Sequence, residues 1–238
     1  AHYTAWHNPL DTGFAVGKFY NYPVVKSSGN QIADYRKEFE LAKQQGIKGF
    51  FVDIITYDGQ GAHYANQMKT MLKAAEGTDF LVGPCLDRTP KVDWQIKELT
   101  RILKECGDHP NYPKVGNKYV VATYSWYRSP ESWKEIREGM AKNGYPIYLI
   151  ANLGRGYQKL TAETIAKYAG TYEMAYAFGY LSLTGKTPTE MLQLMKKEGS
   201  KSNARLMCPV WPGYVGAWMN GRNDYYQPHI GFDQVLDY

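Results

Sequence analysis

Gly46-Ile47-Lys48-Gly49-Phe50-Phe51-Val52-Asp53-Ile54-Ile55 is a glycine stop followed by an almost unbroken apolar run with one carboxylate inside it. A run of this length, rich in β-branched and aromatic residues and apolar on both parities, predicts a strand from Ile47 to Ile55 that is covered on both faces, as in a parallel sheet. Upstream, Ile32, Tyr35, Phe39 and Ala42 recur at helical spacing and predict a helix from about Gln31 to Gln45 that Gly46 ends. Helix, glycine stop and two-faced strand are parts of a βαβ unit. The same alternation extends outward in both directions.

Toward the N terminus, His2 to Trp6 reads as a strand, followed by an irregular loop through Gly13, Gly17, Tyr20 and Pro23. Toward the C terminus, Tyr64, Met68, Met71, Leu72 and Ala75 make the apolar face of a helix closed by Gly77, and Phe80 to Leu86 is the next strand. A helix with Ile96, Leu99, Ile102, Leu103 and Cys106 follows, and then the turn-rich link Asp108 to Pro113 and a strand from Tyr119 to Tyr124. Ser129 as N-cap with Pro130 at the first helical position opens a helix that ends at Gly144. Strands are predicted at Pro146 to Ala151, Met174 to Tyr180 and Leu206 to Val210. Between them lie a helix from near Thr161 and one opened by the capping box Thr187-Pro188-Thr189-Glu190. Gly231 to Tyr238 reads as the start of a further helix.

Seven doubly buried strands arriving about every 30 residues fit a (β/α)8 barrel of the TIM type better than an open doubly wound sheet. Nothing reads as a linker, so residues 1–238 are taken as a single barrel domain. The eighth strand–helix unit is not found, and the chain is expected to continue past Tyr238.

Composition narrows the function classes. The 238 residues are 44% hydrophobic and 21% charged, ordinary for a globular chain, and no apolar run approaches the roughly 20 residues that span a bilayer. The formal charge of +5 sits on helical segments where bases alternate with acids, as in Lys134-Glu135-Ile136-Arg137, so no nucleic-acid partner is expected. No GxGxxG follows a strand and no GxxxxGK[ST] is present, which removes the main support for dinucleotide or nucleotide cofactors. His7 and His63 have no second His or acid at ligand spacing, so no metal is assigned. Cys85, Cys106 and Cys208 cannot all pair within the chain and read as core thiols. A chain that opens at Ala1 and runs directly into a strand is expected to have lost an N-terminal segment. A secreted, periplasmic or cell-surface monomer is the corresponding expectation.

In α/β barrels the active site lies at the C-terminal strand ends, so the polar residues there are the candidates. Trp6 and His7 end the first strand, and Asp53, Tyr57 and Asp58 end or follow the second. Asp87 and Arg88 end the third, Tyr124 and Trp126 the fourth, Asn152 the fifth, and Trp211 and Tyr214 follow the seventh. Asp53 cannot be buried as a charge without partners, so it either pins a neighbouring loop or faces the barrel mouth. Asp87 caps a turn or serves the same mouth. Their strands are sequential, so the two carboxylates are expected close together, with Arg88 as the candidate bridge. The 21 Tyr, 8 Phe and 6 Trp, many near strand ends, raise the case for carbohydrate, whose apolar ring faces pack on such side chains.

Several of these stretches resemble the glycoside hydrolases of family 71 and the family 99-like enzymes. They are Ala1-His2-Tyr3, Gly46 to Asp53, Leu86-Asp87, His109-Pro110-Asn111-Tyr112 and Gly116 to Val121. Leu206 to Pro212, Asn223-Asp224-Tyr225-Tyr226 and the segment containing Phe232 extend the resemblance over nearly the whole chain. It implies a (β/α)8 barrel of the α-1,3-glucanase or endo-α-mannosidase type, an endo-acting hydrolase of α-linked polysaccharide or glycan. These families carry key carboxylates on a last-strand segment of the kind Trp-Asn-Asp/Glu-x-Gly-Glu. No such segment occurs here, so that pair is not transferred to any residue. Asp53 and Asp87 remain the candidate catalytic carboxylates. A non-catalytic barrel that keeps the aromatic mouth to bind carbohydrate is the alternative.

Overall fold

The computed structural model describes residues 2–3, 25, 27–54, 61–87, 91–124, 128–152, 162–168, 170–176, 193, 196–197 and 205–206. Helix α1 (Gln31–Gln44) begins where Asn30 Oδ1 accepts the Ala33 amide at 3.2 Å. The buried carboxylate of Asp34, in its first turn, accepts the Ser28 amide with both oxygens, at 3.1 and 3.0 Å. The helix ends in a Schellman motif: Ile47 N donates to Ala42 O and Gly46 N to Lys43 O, both at 2.9 Å, with Gly46 at φ 76°. Only a residue without Cβ enters that left-handed conformation at no cost, and this is what turns the chain into β2 (Gly49–Ile54).

The remaining elements are β1 (His2–Tyr3), α2 (Gly61–Ala75), β3 (Leu81–Leu86), α3 (Val92–Cys106), β4 (Lys114–Val115), β5 (Lys118–Thr123), α4 (Pro130–Lys142), β6 (Ile147–Asn152), α5 (Ala162–Tyr168), β7 (Met174–Tyr176) and β8 (Arg205–Leu206). The predicted strands and helices are present where the described residues reach them, the C-terminal parts of the strands begun at His2, Met174 and Leu206 lying outside those residues, apart from the helix at Thr187 and the start at Gly231. Those two lie wholly or mostly outside the described residues. β4 is an addition. The fold is α/β, with parallel strands in chain order and helices between them, the arrangement of a (β/α) barrel.

The chain divides into two compact units, Ala1–Tyr124 with Lys134–Tyr148, and Ser125–Trp133 with Leu149–Tyr238. In the first, β1, β2, β3 and β5 are joined by parallel pairings. Phe39 of α1 stacks on Phe80 at 4.3 Å between centroids, and Phe50 meets Phe80 edge-on at 4.9 Å. These pairs put Phe50, and by alternation Val52 and Ile54, on the helix side of the sheet. Val52 and Ile54 are buried there, with aromatic pairs adding about 1 kcal/mol each beyond the area they bury. Phe51 and Asp53 therefore face the opposite, interior side.

At the N-terminal end of the same sheet, β3 and β5 do not meet. They pair only at Cys85–Ala122 and Leu86–Thr123, and lower down Asn111 to Pro113 is wedged between them. Val82 N donates to Asn111 O at 2.9 Å and Val120 N to Pro113 O at 3.0 Å. The Asn111 amide donates to Thr78 O and Phe80 O, and the Tyr112 hydroxyl to Val120 O. The segment then pairs antiparallel with β5 as β4, through a two-residue Gly116-Asn117 turn with Gly116 at φ 59°.

In the second unit, β6 pairs with β7 and β7 with β8, all parallel. The Glu173 carboxylate accepts the Leu149 amide at 2.8 Å. Ser129 caps α4 as predicted, its Oγ accepting the Ser132 amide at 3.3 Å. Cys85 and Cys106 are buried thiols, Cys106 pushed up to about 11 by burial, while Cys208 lies outside the described residues. Among the described residues no helix is long and apolar enough to cross a membrane.

Candidate active site

Three adjacent strand ends of the first unit converge on the candidate residues. The β2–β3 register pairs Asp53 with Cys85 and Ile54 with Leu86, and the Asp87 amide extends the ladder to Ile54 O at 2.9 Å. The β3–β5 register pairs Cys85 with Ala122 and Leu86 with Thr123, and the Tyr124 amide extends it to Leu86 O at 2.7 Å. Side chains alternate along a strand, so Asp53, Cys85, Asp87, Ala122 and Tyr124 all belong to the interior face. They form two successive layers. Asp53, Cys85 and Ala122 make the lower one, and Asp87 and Tyr124 lie one layer nearer the mouth.

Burial follows the layers. Asp53 is 2% exposed, and Cys85 and Ala122 are fully buried beside it, whereas Asp87 and Tyr124 are partly exposed. The expectation of two carboxylates side by side therefore takes a more specific form. They share a face of neighbouring strands but are offset by two residues, roughly 8 Å between Cα atoms for strands about 4.8 Å apart with a rise of about 3.3 Å.

In the second unit Asn152 ends β6 opposite Tyr176 of β7, and both are buried at that strand end. Trp6, His7, Tyr57, Asp58, Arg88, Trp126, Trp211 and Tyr214 lie outside the described residues. Arg128 is a residue that strand-end reasoning missed. It sits in the loop after β5, only 7% exposed, with its guanidinium 5.9 Å from the Trp133 ring. Its carbonyl accepts the Tyr168 hydroxyl at 2.9 Å, and burial, then the charge of Glu131, raises that phenol above its ordinary value. The available signal was its place in the loop just before the Ser129 cap, at the barrel end where chemistry is found.

Comparisons with known proteins agree with this architecture. The chain superimposes on two structures of the GH99 endo-alpha-mannosidase from Bacteroides thetaiotaomicron. One has TM-score 0.75 and 17% identity, covering 100% of this chain and 78% of that one; the other has TM-score 0.66 and 18% identity, covering 91% and 65%. A structure described as a glycoside hydrolase-like protein matches with TM-score 0.64 and 14% identity, covering 87% of this chain and 72% of its own. At such identities the likeness speaks for the fold. No curated protein matches. The model of glycosyl hydrolase family 71 matches residues 16–178, more than half of the sequence. The chain belongs to glycosyl hydrolase family 71.

Proposed function

We propose that this barrel hydrolyses an α-linked glucan or mannan at internal positions, by carboxylate acid/base chemistry at the C-terminal strand ends, and that it works outside the cytoplasm. Membership of family 71 makes carbohydrate the substrate class. The observation that supports the site is the β2–β3 register, with Asp53 and Asp87 on one interior face at the end where barrel enzymes carry their chemistry. Glycoside hydrolysis needs one carboxylic acid to protonate the leaving oxygen and a second carboxylate to act as base or nucleophile.

The test is a reducing-sugar assay on α-1,3-glucan and on α-mannan, run beside a glycan array with nucleic acid as control. Release of oligosaccharides from either polymer supports the proposal. Binding without cleavage would leave a carbohydrate-binding barrel, and neither binding nor cleavage would overturn the functional reading.

A further inference from the structure

We infer that Asp87 and Tyr124 form one sugar subsite at the barrel mouth, and that Asp53, one layer beneath, is a positioning residue that does not touch the sugar. The inference rests on the proposed function above and divides the labour within that site.

Two independent observations carry it. The first is register: Asp87 and Tyr124 follow the paired residues Leu86 and Thr123, and the Tyr124 amide to Leu86 carbonyl bond keeps the ladder intact to that point. Neighbouring parallel strands place such positions about 4.8 Å apart with side chains on the same face. A carboxylate beside a phenol ring is what a pyranose asks of a subsite. The carboxylate accepts two hydroxyls, and the ring covers an apolar face of the sugar.

The second observation is burial. A group that is 2% exposed has no surface to offer a polysaccharide, and Asp53 is such a group. Its layer neighbours on β3 and β5 are Cys85 and Ala122, themselves buried. Asp53 therefore acts through the groups in the layer above, of which Asp87 and Tyr124 are two.

The experiment has two arms on the intact chain. In the first, native protein is labelled with a water-soluble carbodiimide and a glycine ester and mapped by mass spectrometry, with and without an α-1,3-gluco-oligosaccharide or an α-manno-oligosaccharide. Asp87 should label and be protected by the bound oligosaccharide, while Asp53 stays unlabelled until the protein unfolds. In the second, the same oligosaccharides are titrated calorimetrically into variants. Asp87→Asn and Tyr124→Ala should each weaken binding about tenfold, the worth of one charge-assisted hydrogen bond or one ring contact. Tyr124→Phe, which keeps the ring, should restore most of the affinity. Asp53→Asn should leave affinity within about threefold and lower kcat at nearly constant KM, the mark of a group felt in the transition state rather than in binding.

Labelling of Asp53 at the rate of Asp87, or an affinity loss in Asp53→Asn equal to that in Asp87→Asn, would overturn the division. Failure of the unaltered chain to bind either oligosaccharide would instead sink the proposed function, a separate and recognisable result.

Discussion

The two ends of the first unit's sheet are built on opposite principles. At the N-terminal end, Asn111 to Pro113 fills the gap between β3 and β5: its Asn111 and Pro113 carbonyls accept the Val82 and Val120 amides, and its Asn111 and Tyr112 side chains donate to Thr78 O, Phe80 O and Val120 O. At the C-terminal end the same strands close on one another and place carboxylates and a tyrosine on the interior face. In α/β barrels the first end serves stability and the second serves chemistry. Substitutions at the two ends should therefore move different observables.

The largest effect is expected at the wedge. Asn111 is 3% exposed, and its side-chain amide donates to Thr78 O at 2.9 Å and to Phe80 O at 3.0 Å. Asn111→Ala leaves the buried Phe80 carbonyl and the part-buried Thr78 carbonyl without those donors and should cost about 3 kcal/mol, seen as a lower denaturant midpoint. Turnover per folded molecule should not change. A lost activity at unchanged stability would break the comparison.

Gly83→Ala tests the same end by volume. A Cβ there would lie 2.8 Å from Pro113 Cγ and 3.2 Å from Phe51 Cε1, both on partly buried side chains. Overpacking of this kind costs about 2 kcal/mol, again with kinetics intact. A neutral result in thermal or denaturant unfolding would mean that the wedge yields, and that the N-terminal end is softer than its hydrogen bonds imply.

At the other end the signs reverse. Asp53→Asn and Asp87→Asn conserve volume, so each should move the unfolding midpoint by little, under about 1 kcal/mol, while turnover or sugar affinity falls about tenfold or more. Unaltered kinetics with a lowered midpoint would make Asp53 a loop-pinning carboxylate and nothing else.

How far this contrast could be read from the residues depends on what local pattern carries. Helix ends were legible because their chemistry is local: Ser129-Pro130 for α4, and Gly46 after the periodic run of α1. The strands were legible as two-faced apolar runs. β4 was not, because Asp108 to Pro113 has the composition of a turn, and only hydrogen bonds to distant residues turn it into a wedge. Gly116-Asn117 was the one local hint of the hairpin, a two-residue loop of the kind that joins paired strands. The candidate site was legible as a set of strand ends but not as layers. Asp53 and Asp87 each look terminal in their own strand, and the two-residue offset exists only in the register between them. Arg128 escaped for a related reason, since nothing local tells a buried loop arginine from an exposed one.

The smallest expected effect lies away from both ends, in how acid loosens the helices of the first unit. Hydrogen bonds from Ser28 hold the Asp34 carboxyl below its ordinary value of 3.8, and the bond from Lys69, with the nearby Arg101, does the same for Glu105 against 4.5. A carboxyl whose folded value is depressed contributes stability that is fully present above its unfolded value and is lost as pH falls through the folded one. Both contributions are therefore intact at neutral pH and fade below about 4.5, Glu105 starting first and Asp34 following. Lys69 and Glu105 join α2 to α3 at a third to two-fifths exposure, so the pair is worth only about 0.5 kcal/mol and weakens in salt. The Ser28 amide to Asp34 bonds are short-range and resist screening. Unfolding followed from pH 6 to pH 3 should show a shallow decline. Adding about 0.5 M salt should remove the Glu105 part, because the Debye length is then only about 4 Å. Asp34→Asn should remove the lower-pH part. A decline that survives both changes would point to carboxylates elsewhere in the fold.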